Sequence, residues 1–152
     1  MHMWQKYKQY IIFPLAALIV GAIAALITNG NFKMFVEIAK PPLSPPPFIF
    51  PLAWSVLYIL MGIGAALVYT KTGTVSSLYK IQLFVNFIWP IIFFNMRAYL
   101  FAFVWLILLL VLVIMMTLDF RTVSKKAAYL QIPYILWLLF AGYLNCGIWL
   151  LN

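Results

Sequence analysis

The chain has 152 residues, 67% of them hydrophobic and 8% charged, with a formal charge of +8. A soluble domain usually carries about 25% charged residues, so this composition excludes an ordinary soluble enzyme, a disordered tail and a nucleic-acid-binding domain. The positive balance reflects scarce acids, Glu37 and Asp119 alone, and places lysines at segment ends, where they meet lipid headgroups.

Charges divide the chain into five apolar segments, predicted to be helices at about 10–28, 48–69, 80–96, 98–118 and 127–151. A helix rises about 1.5 Å per residue, so about 20 residues cross a hydrocarbon core about 30 Å thick. The first span follows Lys6 and Lys8, and Trp4, Tyr7 and Tyr10 flank it as an interfacial belt does. Its Ala22-Ile23-Ala24 is similar to a signal-peptidase site, but the apolar run continues beyond it, which favours a retained span. Residues 29–47 form a long connection ending in Lys40-Pro41-Pro42-Leu43-Ser44-Pro45-Pro46-Pro47. Proline fixes φ and restricts the residue before it, so this stretch is stiff and extended. It is either a cap over a bundle or a rigid connector. The third span is short and extends through Lys80, whose stem snorkels. The fold class is therefore an all-α integral membrane bundle of five transmembrane helices in one domain. Lys6, Lys8, Lys71, Lys80, Arg121, Lys125 and Lys126 lie on one side and Lys33, Lys40 and Arg97 on the other. The positive-inside rule then places the N-terminus in the cytoplasm and the C-terminus outside, with a bacterial cell membrane as the expected host.

The chemistry of the interior is restricted. There is no carboxylate pair, no Ser/His/Asp set and no metal-ligand cluster, His2 and Cys146 being alone of their kinds. Aromatic residues remain: Trp54, Tyr58 and Met61 share one helical face, as do Asn86, Trp89 and Phe93, and Trp137, Phe140, Ala141, Leu144 and Asn145. Such stripes serve helix packing or line a ligand box. Pro90 and Pro133 fall inside predicted helices and free the carbonyls of Asn86 and Tyr129. Asn86 and Asn145 must face protein or a cavity. Gly21, Gly142 and Gly147 permit close helix approach, one route to a dimer face.

Taken in order, Lys40-Pro-Pro-Leu-Ser-Pro-Pro, Phe50, Trp54-Ser-Val-Leu-Tyr58, Met61-Gly62, Gln82-Leu83, Asn86, Trp89, Phe93-Phe94, Pro133-Tyr134, Leu136-Trp137, Phe140-Ala141, Tyr143-Leu144-Asn145 and Ile148-Trp149 closely resemble the TspO/translocator-protein family. That family is also called tryptophan-rich sensory protein or peripheral benzodiazepine receptor. The resemblance runs from about Pro14 to Asn152. It implies a five-helix bundle, often a homodimer, whose first loop closes over a pocket for protoporphyrin IX or another flat aromatic molecule, with no cofactor required. It implies ligand-binding positions at Phe35, Pro42, Trp54, Tyr58, Asn86, Trp89, Phe93, Trp137, Phe140, Ala141 and Leu144. It also implies a weak light- and oxygen-dependent porphyrin degradation depending on Trp54 and Trp137. Two positions depart from the family pattern, Leu43 and Pro47-Phe48, which predicts a cap that stacks less well on a flat ligand. The cholesterol pattern of animal members is missing near the C-terminus, so sterol binding is not carried over.

A porphyrin is an aromatic disc with two carboxylates. Trp and Phe suit the disc, and Lys33, Lys40 and Arg97 are candidates for pairing with propionates. No histidine is near to ligate an iron, so metal-free porphyrin is expected over haem. The alternatives are a small exporter of porphyrin-like compounds, for which intramembrane charges and repeats are wanting, and a ligand-free scaffold.

Overall fold

In hydrocarbon the backbone finds no water, so each apolar run must satisfy its own N–H and C=O groups by coiling. The computed structural model describes residues 3–152, and His2 lies outside the described residues. Among them are five helical stretches long and apolar enough to cross a membrane, at Met3–Glu37, Ile49–Thr72, Ser77–Asn95, Tyr99–Val123 and Lys125–Leu151. The elements in order are α1 (Met3–Tyr7), α2 (Gln9–Thr28), a 3-10 turn (Asn29–Asn31), α3 (Phe32–Glu37), α4 (Ile49–Thr72), α5 (Ser77–Pro90), a π turn (Ile91–Asn95), α6 (Tyr99–Val123), α7 (Lys125–Tyr129) and α8 (Ile132–Leu151). At about 1.5 Å per residue, α4 alone is about 36 Å long.

Local chemistry sets the ends. Gly73 stops α4 in the left-handed region at φ 78°, its N–H donating to the Tyr69 carbonyl at 2.7 Å, a conformation glycine adopts without a Cβ penalty. Ser76 and Ser124 cap α5 and α7, accepting from the N–H groups of Tyr79 and Ala127. The third span does extend through Lys80, to Ser77.

The prolines act differently from one another. Pro90 ends regular α-helix, and the chain widens into a π turn, with Met96 N–H donating to the Ile91 carbonyl at 3.0 Å. Pro133, expected inside a helix, instead lies in the first turn of α8, after a break at Leu130-Gln131. N–H groups in a first turn have no intrahelical acceptor, so proline there removes no helical bond. Pro14 is the proline that lies inside the first span.

Residues 29–47 are only half as extended as their prolines suggest. The 3-10 turn and α3 fill the first part, and the proline-rich remainder runs from Ile38 onward.

Around the bundle, α2 packs on α4 and α5, α6 packs on α5 and α8, and α7 packs on α4 and α6. The ring closes loosely between α4 and α8. Lipid gives no hydrophobic drive for helix association, so close van der Waals fit does the work, and small residues permit it. Gly62 of α4 sits on the backbone of Phe13 and Pro14 of α2, and Gly21 of α2 faces the Tyr58 ring. Gly147 of α8 faces Pro41. Gly21 and Gly147 are thus occupied within the chain and are not a free dimer face.

Candidate functional site

The half of the bundle nearest α7 is filled. Met61, Ala65, Leu109, Val113, Met116, Phe120 and Ala127 are each 0% exposed. The other half holds a cavity of about 580 Å³, within the 300–1,000 Å³ usual for small-molecule sites. Its lining comes from α2, the 29–35 segment, the first turns of α4, the end of α5 with its π turn, and α8.

Three indoles, Trp54, Trp89 and Trp137, and five phenyl rings, Phe32, Phe35, Phe50, Phe93 and Phe94, lie in the wall. Trp54 and Trp137 meet edge to face with centroids 6.4 Å apart, which closes any slot between them. The open volume lies beside that pair. Trp89 stacks on Phe93 at 5.2 Å, and Phe50 meets Trp137 at 5.9 Å. Phe35 is 4% exposed and packs edge-on against Phe50 at 5.2 Å, so α3 brings an aromatic cover over the loop-side end. The π turn swings Phe93 and Phe94 onto the same surface.

The polar groups are few and ordered. Tyr58 Oη donates to Asn86 Oδ1 at 2.7 Å, Asn86 Nδ2 donates to Tyr134 Oη, and Tyr134 Oη donates to Gln82 Oε1 at 2.8 Å. This chain ties α4, α5 and α8 together beneath the cavity, and unsatisfied amides in hydrocarbon cost more than satisfied ones. Higher up, Trp89 Nε1 donates to Asn145 Oδ1 at 3.1 Å, and Asn145 Nδ2 donates to the Tyr99 carbonyl at 2.8 Å. Trp137 Nε1 is buried with no acceptor among the described residues. With no accessible surface of its own, this nitrogen does not open onto the cavity, and its unpaired N–H is a local cost of packing the indole.

The cap is pinned at both ends. Asn152 holds Ala39 with two bonds, Nδ2 to the Ala39 carbonyl at 2.8 Å and Ala39 N–H to Oδ1 at 3.2 Å. Tyr143 Oη donates to the Pro42 carbonyl at 2.8 Å. Asn31 Nδ2 donates to Asn95 Oδ1 at 2.8 Å, joining the start of the cap to the end of the π turn.

Of the positions proposed from sequence, Phe35, Trp54, Tyr58, Asn86, Trp89, Phe93, Trp137, Ala141 and Leu144 border the cavity. Pro42 does not. It is exposed and uses only its carbonyl, to anchor the cap. Phe140 also lies outside the lining and packs between Trp137 and Tyr143. Lys33 and Arg97 are exposed outside the lining, and Arg97 has φ 51° in the left-handed region. Lys40 Nζ is turned back onto the carbonyls of Ile38 at 2.9 Å and Val36 at 3.2 Å, 5.1 Å above the Phe35 ring. Its charge therefore braces the cap. Leu43 and Phe48, the departures expected to weaken stacking, are 82% and 67% exposed, so neither faces the cavity.

Sequence reasoning did not assign Phe50, Phe94 or the small residues Ala22 and Ala25 of α2 to the site, yet all line the cavity, as do Asn145, read from sequence as facing protein or a cavity, and Gly21, read as a point of close approach. Their signal was spacing: positions 18, 21 and 25 repeat one helical face of α2 with little bulk at 21 and 25. Among the described residues, no cluster of three or more His, Cys, Asp or Glu side chains is placed to hold a metal ion.

Comparison with known proteins identifies the family. The family model for the TspO/MBR family matches residues 11–150. The chain is 37% identical over 125 residues to the tryptophan-rich protein TspO of Chlorobaculum tepidum, covering 78% of each chain. It is 34% identical to the translocator protein of Bos taurus, covering 90% of this chain and 86% of the relative. It is 34% identical to the tryptophan-rich protein TspO of Archaeoglobus fulgidus, covering 91% and 93%. With five apolar helices long enough to span and a match across nearly its whole length, this chain is a multi-pass integral membrane protein and belongs to the TspO/MBR family.

Proposed function

We propose that the protein is a membrane receptor for a flat aromatic ligand of the tetrapyrrole class, held in the cavity between α2, α4, α5 and α8. The observation that carries this reading is the wall itself: an apolar volume of about 580 Å³ bounded by three tryptophans. A core that needed only to pack would fill such a space, as the α7 half does. The disc lies against the faces and edges of Trp89, Phe93 and the Trp54–Trp137 pair, beside that pair and not between its rings. Protoporphyrin IX titrated into the purified protein in detergent is expected to show saturable quenching of both tryptophan and porphyrin fluorescence. Quenching no stronger than that given by a membrane protein of similar aromatic content sinks the reading.

A chemical role follows from the same wall. Trp54 and Trp137 present oxidisable indoles to a bound photosensitiser, and orientation is what a protein adds to such chemistry. Under light and oxygen, a discrete ring-opened porphyrin product is expected from the wild type. Loss of that product in Trp54→Phe and Trp137→Phe, with binding kept, supports turnover. The same product at the same rate from both variants leaves a binder without catalysis.

A further inference from the structure

On the outside of the bundle, α2 and α5 wall a second hollow, which shares no lining residue with the aromatic cavity. The residues of α5 divide between two faces. Gln82, Val85 and Asn86 turn inward and are buried. Leu83, Phe84 and Phe87 follow Lys80 by three, four and seven residues, so the four share one outward face. With Val20 and Ile23 of α2 they line a surface groove of about 390 Å³. Phe84 and Ile23 are exposed and meet lipid tails in a bilayer. A smooth helix face touches a tail along one side. A groove walled by two helices surrounds it and adds many weak dispersion contacts.

The groove is apolar along its length and polar at one end. Leu83 and Phe84 lie about one turn from Lys80, and Phe87 about two turns. The polar end is made by Lys80 and Tyr79. The Tyr79 ring is buried and packs edge-on against Phe13 of α2 at 6.4 Å. Its hydroxyl has no hydrogen-bond partner among the described residues, yet it is not sealed from the surface. Lys80 is exposed and lies three residues, about 4.5 Å, past the start of α5, where the helix enters the membrane. It shares this end of the bundle with Lys6, Lys8, Lys71, Arg121, Lys125 and Lys126, against a single acid, Asp119. The end of the groove is thus an ammonium and a free hydroxyl in a strongly basic setting.

We propose that this groove is a specific site for an anionic phospholipid of the surrounding membrane. One acyl chain lies along the apolar face of α5 and against Val20 and Ile23. The lipid phosphate accepts from Lys80 Nζ, whose flexible stem reaches headgroup level, and from the Tyr79 hydroxyl. Basic recesses between transmembrane helices hold anionic headgroups in this manner, and a charge-assisted bond adds direction to the apolar contact. A zwitterionic lipid carries its own cation beside the phosphate and gains less from Lys80. The proposal is independent of the receptor reading, since groove and cavity have no wall residue in common.

The test uses native mass spectrometry of the full chain in detergent, with dioleoyl phosphatidylglycerol and dioleoyl phosphatidylcholine as probes. One phosphatidylglycerol is expected to bind about tenfold more tightly than phosphatidylcholine, the size of one charge-assisted bond. Lys80→Gln is expected to bring the two lipids within about twofold of each other. Lys71→Gln, exposed at the same end and outside the groove, is expected to keep the preference. Leu83→Trp fills the groove and should weaken both lipids. A second arm uses the wild type alone. Phosphatidylglycerol with a diazirine on one acyl chain should label the α2 and α5 walls well above the exposed α6 face at Val104, Leu108 and Val111. Equal affinity for the two lipids, a preference that survives Lys80→Gln, or labelling spread evenly onto α6 overturns the proposal. So does a dimer that dissociates in Phe84→Trp while no lipid labels the groove, which would make this face a contact between two copies. Porphyrin quenching is expected to be unchanged in these variants, so the lipid site can fail while the receptor reading stands.

Discussion

The two halves of this bundle are built from the same helices and solve opposite problems. Toward α7, Met61, Ala65, Val113, Met116 and Phe120 interdigitate with no exposed surface. Toward the cap, Trp54, Trp89 and Trp137 are only partly buried and face open volume. The contrast cannot come from hydrophobicity, because both halves are apolar and lipid does not drive apolar groups inward. It comes from shape. Where Gly62 and Gly64 let backbones close, side chains fill the centre. Where prolines and large rings hold the helices apart, they do not. The Tyr58–Asn86–Tyr134–Gln82 chain marks the border, fixing the spacing of α4, α5 and α8 where packing alone would not.

The largest effect that can test this division is loss of a filler from the packed half. Phe120→Ala is expected to cost about 3–5 kcal/mol of stability, seen as a large drop in the thermal midpoint in detergent, with ligand affinity changed only through the unfolded fraction. Phe50→Ala, on the cavity side, is expected to cost clearly less, because its ring is only partly buried and already borders space. Equal losses from the two would erase the distinction between filled and hollow halves.

Next comes the close seam. Gly62→Ala places a methyl against the backbone of Pro14, which cannot swing aside as a flexible side chain does. Overpacking of this kind costs about 1–3 kcal/mol. The substitution should therefore pry α2 from α4 and lower the thermal midpoint in detergent.

How far these halves were visible in the sequence differs between them. Five spans followed from charge spacing, because a charge in hydrocarbon is costly and each interruption marks a membrane surface. The hollow half was legible only in part. Trp54, Tyr58 and Met61 share one helical face, yet Trp54 borders the cavity and Met61 is packed solid one turn past Tyr58. Periodicity gives direction around a helix and says nothing of depth along it. Phe140 followed the stripe of α8 and still missed the cavity, since α8 turns that ring toward Tyr143. The role of Lys40 was hidden as well, because its partners are backbone carbonyls that no residue pattern encodes.

At the border, Asn86→Ala removes both an acceptor for Tyr58 and a donor to Tyr134. Interhelical hydrogen bonds within membranes average about 0.6 kcal/mol and reach about 1.7, so a loss of about 1–3 kcal/mol is expected for the pair. If stability is unchanged but affinity falls, the amide belongs to the ligand site more than to the frame.

The smallest effect concerns charge at the mouth. Lys33 and Arg97 are solvated, and exposed ion pairs contribute about 0–1 kcal/mol. Lys40 is already held by two carbonyls and the Phe35 ring, so moving it to a propionate would break bonds to make one. Protoporphyrin IX should therefore bind less than about fivefold tighter than its dimethyl ester, a difference of about 1 kcal/mol. That margin should shrink as salt rises from about 0.05 to 0.5 M, because exposed charges are screened over about 10 Å or less. Removing Lys33 and Arg97 together should abolish it, while Lys40→Met should act through the cap, altering acid and ester alike by loosening Phe35. A large, salt-independent preference for the free acid would mean that a cation enters the cavity on binding. The hollow half would then be charged when occupied, and its likeness to the packed half, apolar throughout, would hold only for the empty protein.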